Sequence, residues 1–472
     1  MASSERVAAD PACWPVWRLS EAIGAGRLSP VELVDAHLAR IGQFDGKLHA
    51  YTEVYGTDAR RAAHAAALAI RAGHAVGPLH GIPIAIKDLV QIEGRVVTGG
   101  CAVWRTRRST VTATLVRRLL AQGMILLGKT HMTEFAMEGW GTNAHMGTPW
   151  NPWDDTLART PGGSSSGSAV AVAAGLAPWA VGTDTGGSVR VPAAWCGLTS
   201  LKTSAGRISN FGLLPTSRTL DTPGPMARDA RDVALLYDAL AGSDPRDPRT
   251  LGLPGRGAAP QEGHRGVAGL RLARMPDSER AAISAPVLAA YDRCLDEFAD
   301  SGAEIVSLAL PGSFAEIASL SGRIMAAEAY SVLHDLVDDA SQPLDENVRP
   351  KIAAGRNVSA GDYLSVLARR AELVRAFDAT FAGVDALLMP TSAWTALPLE
   401  AIDRSVSPMA LTRFANFLDL CVVAMPNGFD AQGLPTSVQV ICRRFNESMA
   451  LRIAGAYQAA TVWHERHPAN YW

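Results

Sequence analysis

The chain predicts an α/β protein in which a β-sheet is covered by helices on both faces. Three observations carry this reading. Segments of helical periodicity alternate with short apolar runs along all 472 residues. No internal repeat and no heptad interrupts the alternation, which argues against solenoids and coiled coils. Only one Pro-, Gly- and Arg-rich stretch, 243–269, breaks the composition, so the whole chain 1–472 reads as one domain. Within it, N-terminal helices occupy about 1–75, a central part about 76–242, and a C-terminal part 270–472 follows the 243–269 loop.

Each element has its own reason. Ser29-Pro30-Val31-Glu32 is a capping box with proline at the first helical position, and Val31, Val34, Leu38 and Ile41 follow at helical spacing. Thr57–Ala72 is an alanine-rich helix with Thr57 or Asp58 as its cap. Gly81–Val90 reads as a short buried strand ending in Lys87-Asp88. Thr112–Gln122 is a helix with Leu115, Leu119 and Leu120 on one side, and Met124–Leu127 is a strand. Ala169–Ala174 is a helix directly after a serine turn, and Ala177–Gly182 leads into a second such turn. Asp229–Leu240 is a helix stopped at Gly242. Beyond the loop, Leu270–Met275, Ile305–Leu310, Ala386–Pro390, Val422–Met425 and Thr436–Cys442 read as strands. Ala281–Ser301, Phe314–Val337, Ala360–Phe381 and Ser448–Thr461 read as helices.

Composition bounds the function. With 48% hydrophobic and 19% charged residues the chain can bury a large core, and a net charge of −2 gives no overall attraction to nucleic acid or an anionic membrane. The six cysteines, Cys13, Cys101, Cys196, Cys294, Cys421 and Cys442, are scattered and read as reduced core residues rather than a metal cluster or disulfide frame. Met-Ala-Ser-Ser-Glu-Arg has no apolar stretch behind it to make a secretory signal. The longest weakly apolar run, Ala169–Val181, is too short for a membrane span and contains Gly175 and Pro178. A soluble cytoplasmic enzyme fits.

The chemistry sits in two Gly-rich serine turns. Pro161-Gly-Gly-Ser-Ser-Ser-Gly-Ser168 carries Ser164, and Gly182-Thr-Asp-Thr-Gly-Gly-Ser-Val-Arg-Val-Pro192 carries Ser188. A Gly-Gly-Ser turn brings bare backbone N–H groups near a hydroxyl, as acyl transfer requires. Upstream, Lys87 ends the apolar run Ile82–Ile86. Burial disfavours a lysine's charged form and makes it a base, the part histidine plays in a Ser-His-Asp enzyme. The eleven histidines offer no such triad; only His131 and His145 fall near the turns. Two motifs mislead. Gly163-Ser-Ser-Ser-Gly167 matches a nucleophile elbow, but a polar stretch ending in Pro161 precedes it where a strand is needed. Gly123-Met-Ile-Leu-Leu-Gly-Lys-Thr130 matches a phosphate-binding loop letter for letter, yet its middle is an apolar strand against which no phosphate can sit.

The chain closely resembles the amidase signature family over nearly its whole length. Leu79–Asp88 is similar to the family's lysine segment, Gly128–Ala136 with Asn151-Pro-Trp153 to its next characteristic stretch, 161–192 to the signature, and Phe429–Cys442 to its C-terminal strand. The resemblance implies one large mixed, twisted sheet of about eleven strands wrapped by helices. It implies a Ser-cisSer-Lys triad with Ser188 as nucleophile, Ser164 bridging through a cis Gly163–Ser164 peptide, and Lys87 as base. Backbone N–H groups of Thr185, Gly186, Gly187 and Ser188 would form the oxyanion hole, and Ser165 and Asp184 would support Lys87 and the turn. No metal or cofactor is called for. The substrate would be a small amide, ester or carbamate; a homodimer is compatible, nucleic acid and membrane partners are not. Specificity would lie in Phe314–Val337 and Ala393–Phe417, with Met137 and Trp140 nearby. Trp394, Phe414 and Phe417 suggest an aryl or alkyl group there, or else plain core packing. Two other functions stand against a stand-alone amidohydrolase. One is the glutaminase subunit of a tRNA-dependent amidotransferase, which in this family reads Gly-Gly-Ser-Ile-Arg-Gln-Pro where this chain has Gly-Gly-Ser-Val-Arg-Val-Pro192. The other is a nucleotide-binding protein.

Overall fold

The structure is a computed structural model that describes residues 10–254 and 265–472. Residues 1–9, which include the N-terminal segment without an expected secretory signal, and 255–264 of the 243–269 loop lie outside the described residues. Among the described residues, eleven strands form one sheet. In chain order they are β1 (Tyr51–Val54), β2 (Pro83–Lys87), β3 (Ile125–Thr130), β4 (Ala180–Asp184), β5 (Thr199–Lys202), β6 (Thr222–Ala227), β7 (Arg271–Arg274), β8 (Glu304–Ser307), β9 (Ala386–Pro390), β10 (Cys421–Phe429) and β11 (Pro435–Cys442). In space they run β1-β3-β2-β4-β6-β5-β10-β11-β9-β7-β8. The sheet is mixed: β2 lies parallel to β3 and β4, and β7 to β8 and β9, while the strands between pair antiparallel.

The two-residue period of the strands sorts the core into two apolar clusters. Ile84, Ile86 and Val181 enter one, with Leu119 of helix Thr114–Ala121, Val233 and Leu236 of helix Ala230–Leu240, and Phe298 of helix Ala285–Asp300. Ala85, Ala180, Ile125 and Leu127 enter the other, with Val34 and Leu38 of helix Pro30–Leu48 and the small residues of helix Ser166–Ala173. Both faces of the central strands are therefore covered, which is why β2 and β4 read as continuous apolar runs.

Local chemistry explains most boundaries. Ser29 accepts from the Val31 N–H while Glu32 Oε2 takes the Ser29 N–H at 2.8 Å, so the capping box forms. The second helix, Gly56–Arg71, is capped by neither Thr57 nor Asp58: Tyr55 holds the cap position without a side-chain bond. Asp58 sits inside the first turn and pairs with Arg95 instead. The helix expected from Ala281 begins at Ala285, where Ser284 and Pro286 set the first turn. All six cysteines are buried and unpaired. No helix among the described residues is long and apolar enough to cross a membrane.

The phosphate-loop look-alike is fully explained by the sheet. A Cβ on Gly128 would overlap the Glu53 carbonyl where β1 crosses β3. Lys129 Nζ is buried and donates to Asp88 Oδ1 at 3.1 Å and the Val90 carbonyl at 2.6 Å. Thr130 Oγ1 bonds Ser168 Oγ at 2.7 Å. Lys129→Met should therefore lower unfolding stability by about 3–5 kcal/mol, because it strands the Asp88 carboxylate in the core. Chemical denaturation checks this; unchanged stability, or ATP binding lost in the variant, would restore the nucleotide reading.

Candidate active site

β2 and β4 are parallel neighbours, paired at Ala85–Ala180 and Ile86–Val181. Their carboxyl ends therefore carry Lys87, Thr183 and Asp184 to the same edge of the sheet, where open α/β sheets place their ligands. The turn 161–165 reaches that edge just before helix Ser166–Ala173. Its Gly163–Ser164 peptide is cis. Lys87 is fully buried, with Nζ 2.8 Å from Ser164 Oγ and 2.9 Å from Thr183 Oγ1. Burial pushes its pKa down from 10.5 to about 7, opposed by the charges of Asp221 and Asp184. Burial likewise raises Asp221 to about 6, against a 2.5 Å hydrogen bond from Thr185 Oγ1 and backbone N–H groups of Thr216 and Ser217.

Ser165 does not support Lys87 as expected. Its hydroxyl lies 3.3 Å from both the carbonyl and the N–H of Thr183, so Ser165 fixes the Thr183 backbone and Thr183 supplies the second hydroxyl at Lys87. Sequence reasoning passed over Thr183. Its position on the strand leading into the second serine turn was the available signal. The backbones of the two turns meet through Ser165 N–H and the Ser188 carbonyl at 3.2 Å.

The second turn is held by Asp184. Its Oδ1 accepts the Gly187 N–H at 2.8 Å and its Oδ2 the Val189 N–H at 3.2 Å. Arg190, wholly buried, forks onto the same carboxylate with two 3.0 Å bonds. Its remaining N–H groups reach the Thr412 carbonyl, Gln439 Oε1 and Asn416 Oδ1, so all five donors are satisfied. Burial would raise the Asp184 pKa, but the Arg190 charge and the bonds from Arg190 and Asn416 outweigh it and hold the carboxyl at about 2. Gly187 has φ +137°, and a Cβ there would overlap Thr412 Oγ1, which donates to the Gly186 carbonyl at 2.6 Å. Of the four expected oxyanion donors, Gly187 is already engaged by Asp184. The N–H groups of Thr185, Gly186 and Ser188 meet no protein acceptor among the described residues.

Ser188 and Gly186 line a cavity of about 310 Å³ walled by Met137, Trp140, Met325 and Met409. Met137 and Trp140 line it beside Ser188, and Met325 comes from helix Phe314–Asp338, which covers the expected Phe314–Val337. The other aromatic residues do not line it. Phe414 packs against Phe314 and Phe377 at ring separations of 5.3 and 5.8 Å, and Phe417 is fully buried in the core. Trp394 stacks behind Trp140 at 6.2 Å. Phe414 and Phe417 are core residues of helix Arg413–Phe417, and Trp394 is a partly buried residue packed behind the pocket wall.

The Amidase family model matches residues 32–451. A glutamyl-tRNA(Gln) amidotransferase subunit of Chloroflexus aggregans is 36% identical over 476 residues, covering 95% of this chain and 96% of the relative. A solved structure described as a vestigial protein complex that reveals the evolutionary origins of an s-triazine catabolic enzyme is 31% identical, with a TM-score of 0.88 over 94% of this chain and 98% of that one. Peptide amidase from Stenotrophomonas maltophilia is 28% identical, with a TM-score of 0.83 over 94% and 96%.

The Arg190 fork generates a direct expectation. Arg190→Met removes the counter-charge from a buried carboxylate and should destabilise the protein by about 3–5 kcal/mol. Arg190→Lys keeps the charge but cannot form the fork, and should lose part of that stability and most turnover. Thermal unfolding and amide hydrolysis check both; a Lys variant with unchanged turnover would show that the fork does not set the turn.

Proposed function

We propose a function from one premise: the chain belongs to the amidase family. It hydrolyses a small C–N amide bond, and by the same chemistry an ester or carbamate, through a serine acyl-enzyme. The observation that carries this is a fully buried lysine whose pKa sits near 7, in contact with Ser164, beside a Ser188 turn that opens on a cavity. Neutral Lys87 takes the Ser164 proton, Ser164 takes the Ser188 proton, and Ser188 Oγ attacks the carbonyl carbon. The oxyanion is received by the free N–H groups of Thr185, Gly186 and Ser188. As the tetrahedral intermediate collapses, the C–N bond breaks and the relay returns the proton to the leaving amine. Water, deprotonated through the same relay, then attacks the acyl carbon and releases the acid and Ser188.

A second reading is the glutaminase subunit of a tRNA-dependent amidotransferase. It is favoured by the 36% identity to a glutamyl-tRNA(Gln) amidotransferase subunit over nearly the whole of both chains. Against it stands Val191, at the place where such subunits carry glutamine. Val191 is fully buried in an apolar cluster with Trp140, Trp195 and Met409, a setting that suits a valine better than a glutamine amide. Hydrolysis of small amides by the isolated chain supports the first reading. Glutamine hydrolysis that requires a co-purifying partner supports the second.

Both readings share the serine chemistry, and its test is the rate of labelling by a neutral fluorophosphonate. Ser188 should be the labelled residue. The labelling rate should climb from pH 6 to 8 and then level, because the base is the uncharged form of Lys87, whose pKa is about 7. Ser188→Ala should abolish labelling, and Lys87→Met should remove both the climb and most of the rate. Labelling at Ser165, or a profile flat across pH 7, would overturn the assignment.

A further inference from the structure

The cavity beside Ser188 carries an excess of positive charge that the proposed chemistry does not use. Arg413, Lys351 and Arg404 all line it, against a single carboxylate among the described residues, Glu138. Glu138 is itself occupied: its Oε2 accepts the N–H groups of Trp140 and Gly141 at 2.8 and 3.1 Å, and its Oε1 lies 3.9 Å from Arg404. Arg404 also bonds Thr142 Oγ1 at 3.3 Å.

Arg413 has no such ties. No described residue gives its side chain an ion pair or a hydrogen bond, and its Nε is buried without a partner. The side chain runs along the turn that carries the nucleophile. A Cβ placed on Gly186 would lie 3.3 Å from Arg413 Cγ and 3.8 Å from its Nε. Burial disfavours its charge, and no carboxylate offsets this. An unpaired, partly desolvated guanidinium is costly, and a protein that keeps one beside its reactive serine holds it ready for an anion. A planar fork of N–H donors matches a carboxylate.

We propose that the substrate is an amide that also bears a carboxylate, and that Arg413 binds this carboxylate while Lys351 and Arg404 add attraction at the cavity mouth. The inference rests on the cavity being the amide site proposed above, and gives that site a substrate class: small acid amides, of the size a cavity of about 310 Å³ admits. The carboxylate takes no part in bond making; it positions the scissile carbonyl over Ser188.

The test is competition against fluorophosphonate labelling of Ser188 by two acid amides, succinamate and glutaramate, and by their neutral isosteres succinamide and glutaramide. In the wild-type chain at least one acid amide should slow labelling at a concentration at least about tenfold lower than its neutral isostere, as expected for charge-assisted hydrogen bonds. In Arg413→Met that ratio should fall to near one, and in Arg413→Lys, which keeps the charge but not the fork, it should fall to an intermediate value. Equal protection by acid and neutral amides, absence of protection by either acid amide, or a ratio unchanged in Arg413→Met would overturn the carboxylate inference while Ser188 labelling still stands. Failure to label Ser188 at all would remove the serine chemistry and this inference together.

Discussion

The site depends on one buried ion pair, the fork of Arg190 on Asp184. Asp184 ends β4, and its carboxylate takes two backbone N–H groups of the turn that carries Ser188. Arg190 then ties that turn to Thr412, Asn416 and Gln439, so the 409–417 segment and β11 converge on it from the far half of the sheet. A buried ion pair adds little stability over an apolar substitute, but it tolerates few geometries once its lone pairs and N–H groups are all used. Here that strictness fixes which N–H groups stay free. Gly187 is engaged by Asp184, whereas Thr185, Gly186 and Ser188 are left to face an incoming charge.

Three buried lysines show how environment separates structure from chemistry. Burial lowers the pKa of Lys87, Lys129 and Lys202 alike. Lys129 meets a carboxylate at 3.1 Å, which favours its charged form, and Lys202 donates to the Leu420 carbonyl at 2.6 Å. Among the described residues, Lys87 Nζ meets two hydroxyls and no carboxylate. With Asp221 and Asp184 near enough to temper the shift but not to pair, its pKa stays near neutrality, where a base is useful.

The alternation of periodicities made the sheet and most helices legible, because helices and strands covered on both faces leave strong apolar signals, as at Gly81–Val90 and Ala386–Pro390. β6 was missed because Thr-Pro-Gly-Pro-Met-Ala reads as a breaker. It survives as a strand because its pairing with β5 is confined to Met226 and Ala227, leaving Pro223 and Pro225 outside that ladder. Helix Arg190–Cys196 was hidden by Pro192, which falls in the first turn where no N–H is needed. At the site, Lys87, Ser164 and Ser188 stood out through their glycine-rich and apolar settings. Thr183, Arg413 and the partners of Arg190 did not, since each acts through contacts between residues far apart in the chain, and no local pattern records those. The aromatic residues Phe414 and Phe417 were legible as buried but not as belonging to core rather than cavity, a distinction of direction that helical spacing alone does not make.

The central claim is that Lys87 stands uncharged at the end of β2 at mildly alkaline pH. Carbon-13 NMR of protein labelled at the lysine Cε, with the Lys87 signal assigned by its loss in Lys87→Met, measures this directly. That signal should titrate with a midpoint of about 7, far below the ordinary 10.5. A Lys87 Cε that keeps the shift of a charged lysine beyond pH 9 would contradict it, and the proton of Ser188 would need another acceptor.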